Sequence, residues 1–224
     1  PEWKIYAHLW FAKVPSFTLP VGTLVPLGVE DFIVAEKSIS VSNLANGTTR
    51  LQPVVCEIGQ AAGVMAALAV KNNCKVREVK VRDVQRELLD AGAYIQPYLD
   101  LKKDDPDFKM LQRIGSTGLL HAEGKSVAWS NETWMRIADP LVWDDLFLED
   151  YYGIVHNPSK EQVKVSEFVE LLSRISMKEK EEIGKISGFD VDAQQGLTRL
   201  DAARAIDLVL NPFVRDVDFK GNLK

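Results

Sequence analysis

The sequence predicts an α+β chain: a few-stranded β portion built around one long small-residue helix, then a mostly α-helical second domain. Three observations carry this. Residues 5–35 run through short apolar and β-branched stretches broken by Pro15, Pro20, Gly22 and Pro26, punctuation that suits strands and turns. Residues 50–70 (RLQPVVCEIGQAAGVMAALAV) hold Gly59, Ala62, Gly63, Ala66 and Ala67 at three- and four-residue spacing, a nearly bare stripe along a helix. Beyond Lys102-Lys103-Asp104-Asp105-Pro106, a charged connector, every apolar pattern has the helical period. The division is placed at residues 97/98, giving parts 1–97 and 98–224.

In order, Ile5–Val14 is aromatic and β-branched and reads as a strand ended by Pro15. Phe17–Val25 reads as a second extended run, and Pro26-Leu27-Gly28 as a turn. Asp31–Ala35 is a short apolar run of the kind buried on both faces of a sheet. Glu36–Asn46 is polar and small, a loop into the central helix. Pro53 sits in that helix's first turn, where its missing N–H costs nothing, and Asn72-Asn73 closes it. Val81–Ala91 is amphipathic, with Val81, Val84, Leu88 and Leu89 on one face and Gly92 just beyond. In the second part, helices are expected over Phe108–Ile114, Asn131–Ile137, Leu141–Tyr151, Lys164–Ile175, Met177–Ile186 and Leu197–Leu210, the last stopped by Asn211-Pro212.

A net charge of −5 with scattered Lys and Arg gives no electrostatic case for nucleic acid. The longest unbroken apolar run, within Val64–Val70, is too short to cross a bilayer, so no transmembrane segment is expected. Cys56 and Cys74 form no metal or redox spacing and read as free thiols that report no compartment. His8, His121 and His156 share no ligand spacing. Asp190-x-Asp192-x-Gln194 begins like a calcium loop, but Gly196 stands one position late and Asp201 replaces the closing Glu, so it reads as a polar loop. The chain opens at Pro1 inside a strand-like run, and is read as a piece of a longer protein.

Leu24-Val25-Pro26, Gly28-Val29-Glu30-Asp31-Phe32-Ile33-Val34-Ala35, Ser40, then Gly47, Arg50 and Pro53, then Gly59-Gln60-Ala61-Ala62-Gly63 follow one another at set spacing. Together they resemble the C-terminal part of a bacterial family of FAD-dependent oxidoreductases, some of them labelled xanthan lyases. The resemblance covers about a third of the chain. It implies that the segment ending at Ala35 and the helix opening near Gly59 come up against a flavin. Ala35, Glu36, Gly59, Gln60 and Ala61 would then face the cofactor, with Arg50 close by.

Three departures accompany the resemblance. Glu36-Lys37 stands where the family has Gly-Arg, adding bulk and a negative charge that repels a pyrophosphate. Asn43 stands where a histidine is usual, and cannot act as acid or base at neutral pH. No Gly-x-Gly-x-x-Gly is present to seat a pyrophosphate; Gly115-Ser116-Thr117-Gly118 has the wrong spacing.

In the second part, Asp107–Ile114 leading into Gly118-Leu119-Leu120 and Gly124 resembles the first helix and turn of an S-layer homology repeat. Leu197-Thr198-Arg199-Leu200-Asp201-Ala202-Ala203 resembles that repeat's other signature. Thr198 is then a helix cap and Asp201 its capping-box acid.

The expected function is that of a C-terminal fragment of an FAD-dependent oxidoreductase. It contributes one wall of the flavin site, while its partner, the dinucleotide-binding half, lies upstream. FAD belongs to the intact protein and is not expected to be retained by this chain alone, and no residue here is nominated as catalytic. The alternative is a non-catalytic module that binds cell-envelope polysaccharide or protein, for which an exposed cluster of Trp129, Trp134 and Trp143 would speak. As a helical core, these residues with Tyr151 and Tyr152 would be buried instead.

Overall fold

The computed structural model describes residues 16–127, 131–155 and 158–224. The expected strand Ile5–Val14, together with His8, His156 and Trp129, lies outside the described residues. The architecture is mixed but mostly helical, with one two-stranded antiparallel sheet among the described residues.

Residues 17–35 do not pair as expected. Val21–Leu24 is a 3-10 turn, and Ile33–Ala35 is extended chain in which Val34 N–H donates to Leu24 O at 2.8 Å. An extended segment becomes a strand only through a ladder of such bonds, and the described residues offer this one no further neighbour. The expected loop Glu36–Asn46 instead contains a 3-10 turn at Glu36–Ser38 and the start of helix α1, Asn43–Thr49. Ser42 caps α1 by accepting from Ala45 N–H at 3.2 Å.

Helix α2, Gln52–Lys71, begins with Pro53 in its first turn and is capped by Asn72, with Asn73 at φ 48°. Its 20 residues are long and apolar enough, by length and composition, to cross a membrane. Counting only the unbroken run Val64–Val70 missed this, because Gly and Ala between the larger residues keep the whole helix apolar. One face of α2 is packed: Val55, Ile58, Ala62, Met65, Leu68 and Ala69 are buried, Met65 completely.

Helix α3, Val81–Asp90, lies against α2. It gives Val84 to a first apolar cluster with Leu24, Ile58 and Met65, and Leu89 to a second, larger one. The second cluster is built by α4 (Phe108–Thr117), α5 (Glu149–Tyr152), α6 (Val165–Ser176), α7 (Lys180–Ser187) and α8 (Arg199–Val209). Its buried centre includes Leu111, Ile114, Phe168, Leu172, Ile183 and Leu197. The two clusters are tied by Arg82. Its Nη2 donates to the Tyr151 hydroxyl at 2.7 Å, its Nη1 to Ser116 Oγ at 3.1 Å and its Nε to Arg215 O at 3.2 Å. The chain's last segment also returns to its first: Gly22 N–H donates to Phe219 O at 2.8 Å, and Phe219 packs against the first cluster. A side chain at position 22 would meet that carbonyl at 2.6 Å, so the closure requires glycine.

Two expected helices are replaced. Asn131–Ile137 is the site of strand β2, Glu132–Trp134, which pairs with β1, Glu123–Lys125, in the register Glu123↔Trp134 and Lys125↔Glu132. Thr133 and Trp134 favour a pleated surface once a partner strand exists. Leu141–Tyr151 divides into extended chain, a 3-10 turn at Trp143–Asp145 and α5. The others hold with shifted ends: α4 runs on to Thr117, and α7 starts at Lys180 because Met177 takes φ 58° at the end of α6. Thr198 caps α8 as expected. Its Oγ accepts from Asp201 N–H at 3.1 Å and donates to the Asp201 carboxylate at 2.7 Å.

Candidate functional site

The site begins with the two faces of α2. While one face is packed, Cys56, Gly59, Gln60, Gly63, Ala66, Ala67 and Val70 are exposed along the other. A Cβ at Gly59 or Gly63 would meet nothing within 4 Å. These glycines are therefore not there to admit a neighbouring element of the described chain. They leave bare helix backbone open to solvent. Several large apolar side chains of the same half are also exposed: Leu27, Val29, Phe32, Leu44 and Leu51.

The Glu36–Ser38 turn packs against α2. Ala35 is partly buried against the first cluster and Glu36 is exposed. The backbone at Glu36 has φ 58°, the left-handed conformation that glycine adopts freely and other residues adopt at a cost of about 1–2 kcal/mol. Glutamate thus occupies a conformation suited to glycine. Glu36→Gly is expected to raise stability by about 1 kcal/mol, strain relief being partly offset by the looser unfolded chain. Glu36→Val should lower stability by at least as much. Urea midpoints at constant m-value would measure both.

Arg50 closes α1, its N–H donating to Asn46 O at 3.3 Å, and stands exposed two residues before α2 begins. No ion pair of Arg50 is found among the described residues. Beside it, Thr49 is 4 % exposed, and its Oγ1, like Asn46 Oδ1, finds no hydrogen-bond partner among the described residues. Buried polar atoms are normally paired.

Of the six residues expected at a flavin, the structure brings the Ala35–Glu36 segment against α2 and leaves Gly59 and Gln60 on its open face. Ala61 is turned away. It lines a cleft of about 220 Å³ with Val54, Ile58, Val84 and Leu88, on the α3 side. At 3.6 residues per turn, positions 59 and 61 lie about 200° apart around the helix. A wider, shallow depression of about 790 Å³ runs beside the other end of the open face, lined by Ile33, Ala66, Val70 and Cys74.

The second part holds a constellation that sequence reading passed over. The His121 imidazole stacks on the Phe147 ring, centroids 3.5 Å apart and planes 11° from parallel. Burial and the nearby Arg199 guanidinium hold the imidazole below its ordinary pKa, while Asp145 opposes them. Arg199 is 5 % exposed. Its Nε donates to Met135 O at 2.9 Å, its Nη2 donates to His121 O, and its Nη1 pairs with Asp145 Oδ1 at 2.5 Å. The motif that drew attention to Arg199 as part of a repeat gave no sign of this role.

Of the tryptophans, Trp134 is half-buried and donates from Nε1 to Glu132 Oε2 at 2.9 Å. Trp143 is half-buried against the second cluster, and Tyr151 is buried. In the loop before α8, Asp192 N–H donates to Asp190 Oδ1 at 3.3 Å and Gln194 Nε2 to Ser166 Oγ at 3.1 Å. Among the described residues, no group of three or more His, Cys, Asp or Glu could hold a metal ion.

Against this geometry, the comparisons with known proteins gave one finding. Residues 4–88 match the family described as FAD dependent oxidoreductase. The match covers less than half of the chain, and takes in the Glu36 turn, α1, α2 and most of α3. No curated protein and no solved structure matched. Residues 4–88 are thus similar to a segment of FAD-dependent oxidoreductases, a family whose cofactor is FAD. The open glycine face fits the approach of a flat group to bare helix backbone, whereas the Glu36 carboxylate does not fit a pyrophosphate.

Proposed function

We propose that residues 1–97 are the C-terminal portion of an FAD-dependent oxidoreductase module that forms one wall of its flavin site. The dinucleotide-binding half is supplied by an upstream segment of the same protein. The observation that carries this is the open face of α2 within the family match: Gly59 and Gly63 face nothing among the described residues, and the adjoining turn keeps a glycine-type conformation at Glu36. A bound flavin would supply hydride transfer. This chain would contribute backbone from Ala35 and Gly59, the Gln60 amide and the Arg50 charge to holding it. Residues 98–224 would be a helical appendage of the S-layer homology type, a reading supported by the Thr198–Asp201 cap. The xanthan lyase label of some resembling proteins would place the substrate among polysaccharides.

The test is the visible spectrum after incubation with excess FAD and desalting. The chain alone should come through colourless, and a chain extended to include the upstream half should keep a flavin band at roughly 450 nm. In the extended protein, Gly59→Leu should abolish the band without unfolding this half, because position 59 opens onto free space. A band retained by the chain alone would overturn the one-wall reading. Its absence from the extended protein would overturn the flavin reading.

A second reading assigns carbohydrate binding to the helical part. It is favoured by the exposed Phe147 ring and half-buried Trp143 bordering one cleft together with Asp144 and Glu149. Flat apolar faces beside carboxylate acceptors suit a sugar ring.

A further inference from the structure

We propose that the His121–Phe147 ring pair is the shared wall of a two-subsite cleft for a neutral oligosaccharide; this rests on the carbohydrate reading just given. Each of the two stacked rings lines a cavity of its own. Phe147 lines one of about 240 Å³, with Trp143, Asp144, Leu148 and Glu149. His121 lines another of about 370 Å³, with Glu123, Arg136, Asp139, Asp145 and Arg199. Because the rings are stacked face to face, a ligand chain passing from one cavity to the other would cross them.

The wall is held by backbone. Phe147 N–H donates to Leu119 O at 3.0 Å and His121 N–H to Asp145 O at 3.2 Å, on either side of the Leu120↔Leu146 bridge. Leu119, Leu120 and Leu146 are buried in the second cluster. The rings are thus mounted on a fixed base while Phe147 remains 45 % exposed.

Size and charge choose the ligand. Sites for drug-sized molecules span about 300–1,000 Å³; these two cavities are each of the order of a single sugar ring. The first combines an aromatic face with the Asp144 and Glu149 carboxylates, and the second is lined by polar groups. In the second, three carboxylates face two guanidiniums. Arg199 is committed to Asp145 and two backbone carbonyls, and Arg136 pairs with Glu123 and, at 3.3 Å, with Asp139. Among the described residues lining this cavity, neither guanidinium is left unpaired to recognise an acidic sugar. Acceptors for hydroxyls are offered by the Asp144 and Glu149 carboxylates of the first cavity, beside a flat ring that covers an apolar C–H face.

Calorimetric titration with cellotetraose, maltotetraose and β-1,4-mannotetraose, with tetragalacturonate as the acidic counterpart, tests this. At least one neutral tetrasaccharide should bind. Phe147→Ala should weaken that binding about tenfold or more, while Phe147→Trp, which keeps a flat face, should preserve it. Phe147→Ala removes an exposed ring, and its far-ultraviolet dichroism should match the parent. If no neutral tetrasaccharide binds, the site and the carbohydrate reading fall together. If one binds equally well to Phe147→Ala, the site is wrong and the carbohydrate reading stands. Tighter binding of tetragalacturonate would overturn the choice of a neutral ligand.

Discussion

Arg199→Ala is expected to destabilise the fold by about 3–5 kcal/mol. The side chain is 5 % exposed and joins three segments: Asp145 by an ion pair at 2.5 Å, Met135 O at 2.9 Å and His121 O. Truncation leaves Asp145, which is itself largely buried, without its counter-charge, and two carbonyls without a donor. That penalty, more than the worth of the pair, sets the size of the effect. In a chain of 224 residues it corresponds to a fall in Tm of about 6–20 °C. Arg199→Lys should recover little, since one ammonium cannot reach three acceptors placed around a planar fork. Arg199→Met combined with Asp145→Leu should recover a substantial part, because no buried charge is then left unpaired. Urea unfolding of the four proteins checks this. A single mutant within about 1 kcal/mol of the parent would show that Arg199 is dispensable.

Gln112→Leu should cost about 3 kcal/mol through a different cause. Gln112 is completely buried on α4. Its Oε1 accepts from Ile95 N–H at 2.8 Å and Gln96 N–H at 2.7 Å, and its Nε2 donates to Gln96 O at 3.1 Å. One amide thus supplies the hydrogen bonds of an irregular connector that has no ladder of its own, each worth about 1 kcal/mol. Leucine fills the space and satisfies none of them. Gln112→Glu separates the acceptor role from the donor role. When protonated, it can donate to Gln96 O and still accept; when ionised, it faces that carbonyl with a buried charge. Its folded pKa is then raised above the usual value of about 4.3. The folded state binds the extra proton, so stability is greatest below that value and falls as pH rises through the folded pKa. Urea midpoints measured from pH 4 to pH 8 should decline for Gln112→Glu relative to the parent; a parallel pair of curves would contradict the assignment.

How far the sequence could be read depended on whether an element's partner was nearby. α2, α3 and α8 were legible because cap, period and stop residues all lie within the element: Pro53 and Asn72 for α2, Thr198 with Asp201 for α8. Glu132–Trp134 was misread as helix because its strand character depends on pairing with Glu123–Lys125, which a local pattern does not contain. The extended run before Ala35 shows the converse, strand-like residues that find no ladder among the described residues. On α2 the small-residue face could be read from spacing, and helix angle sets Ala61 apart from Gly59. His121 and Phe147 are 26 positions apart and share no motif. They are brought together by the Leu120↔Leu146 bridge and the backbone bonds on either side of it.

The closure of Gly22 onto Phe219 sets an order of events during synthesis. The first apolar cluster, although nearly all of its residues are translated early, cannot be sealed until residue 219 has left the ribosome. At ordinary elongation rates that is a delay of about 10–40 seconds. Over that interval the seam between Gly22 and Phe219 stays open, so the nascent chain presents to chaperones a backbone edge that the finished protein pairs.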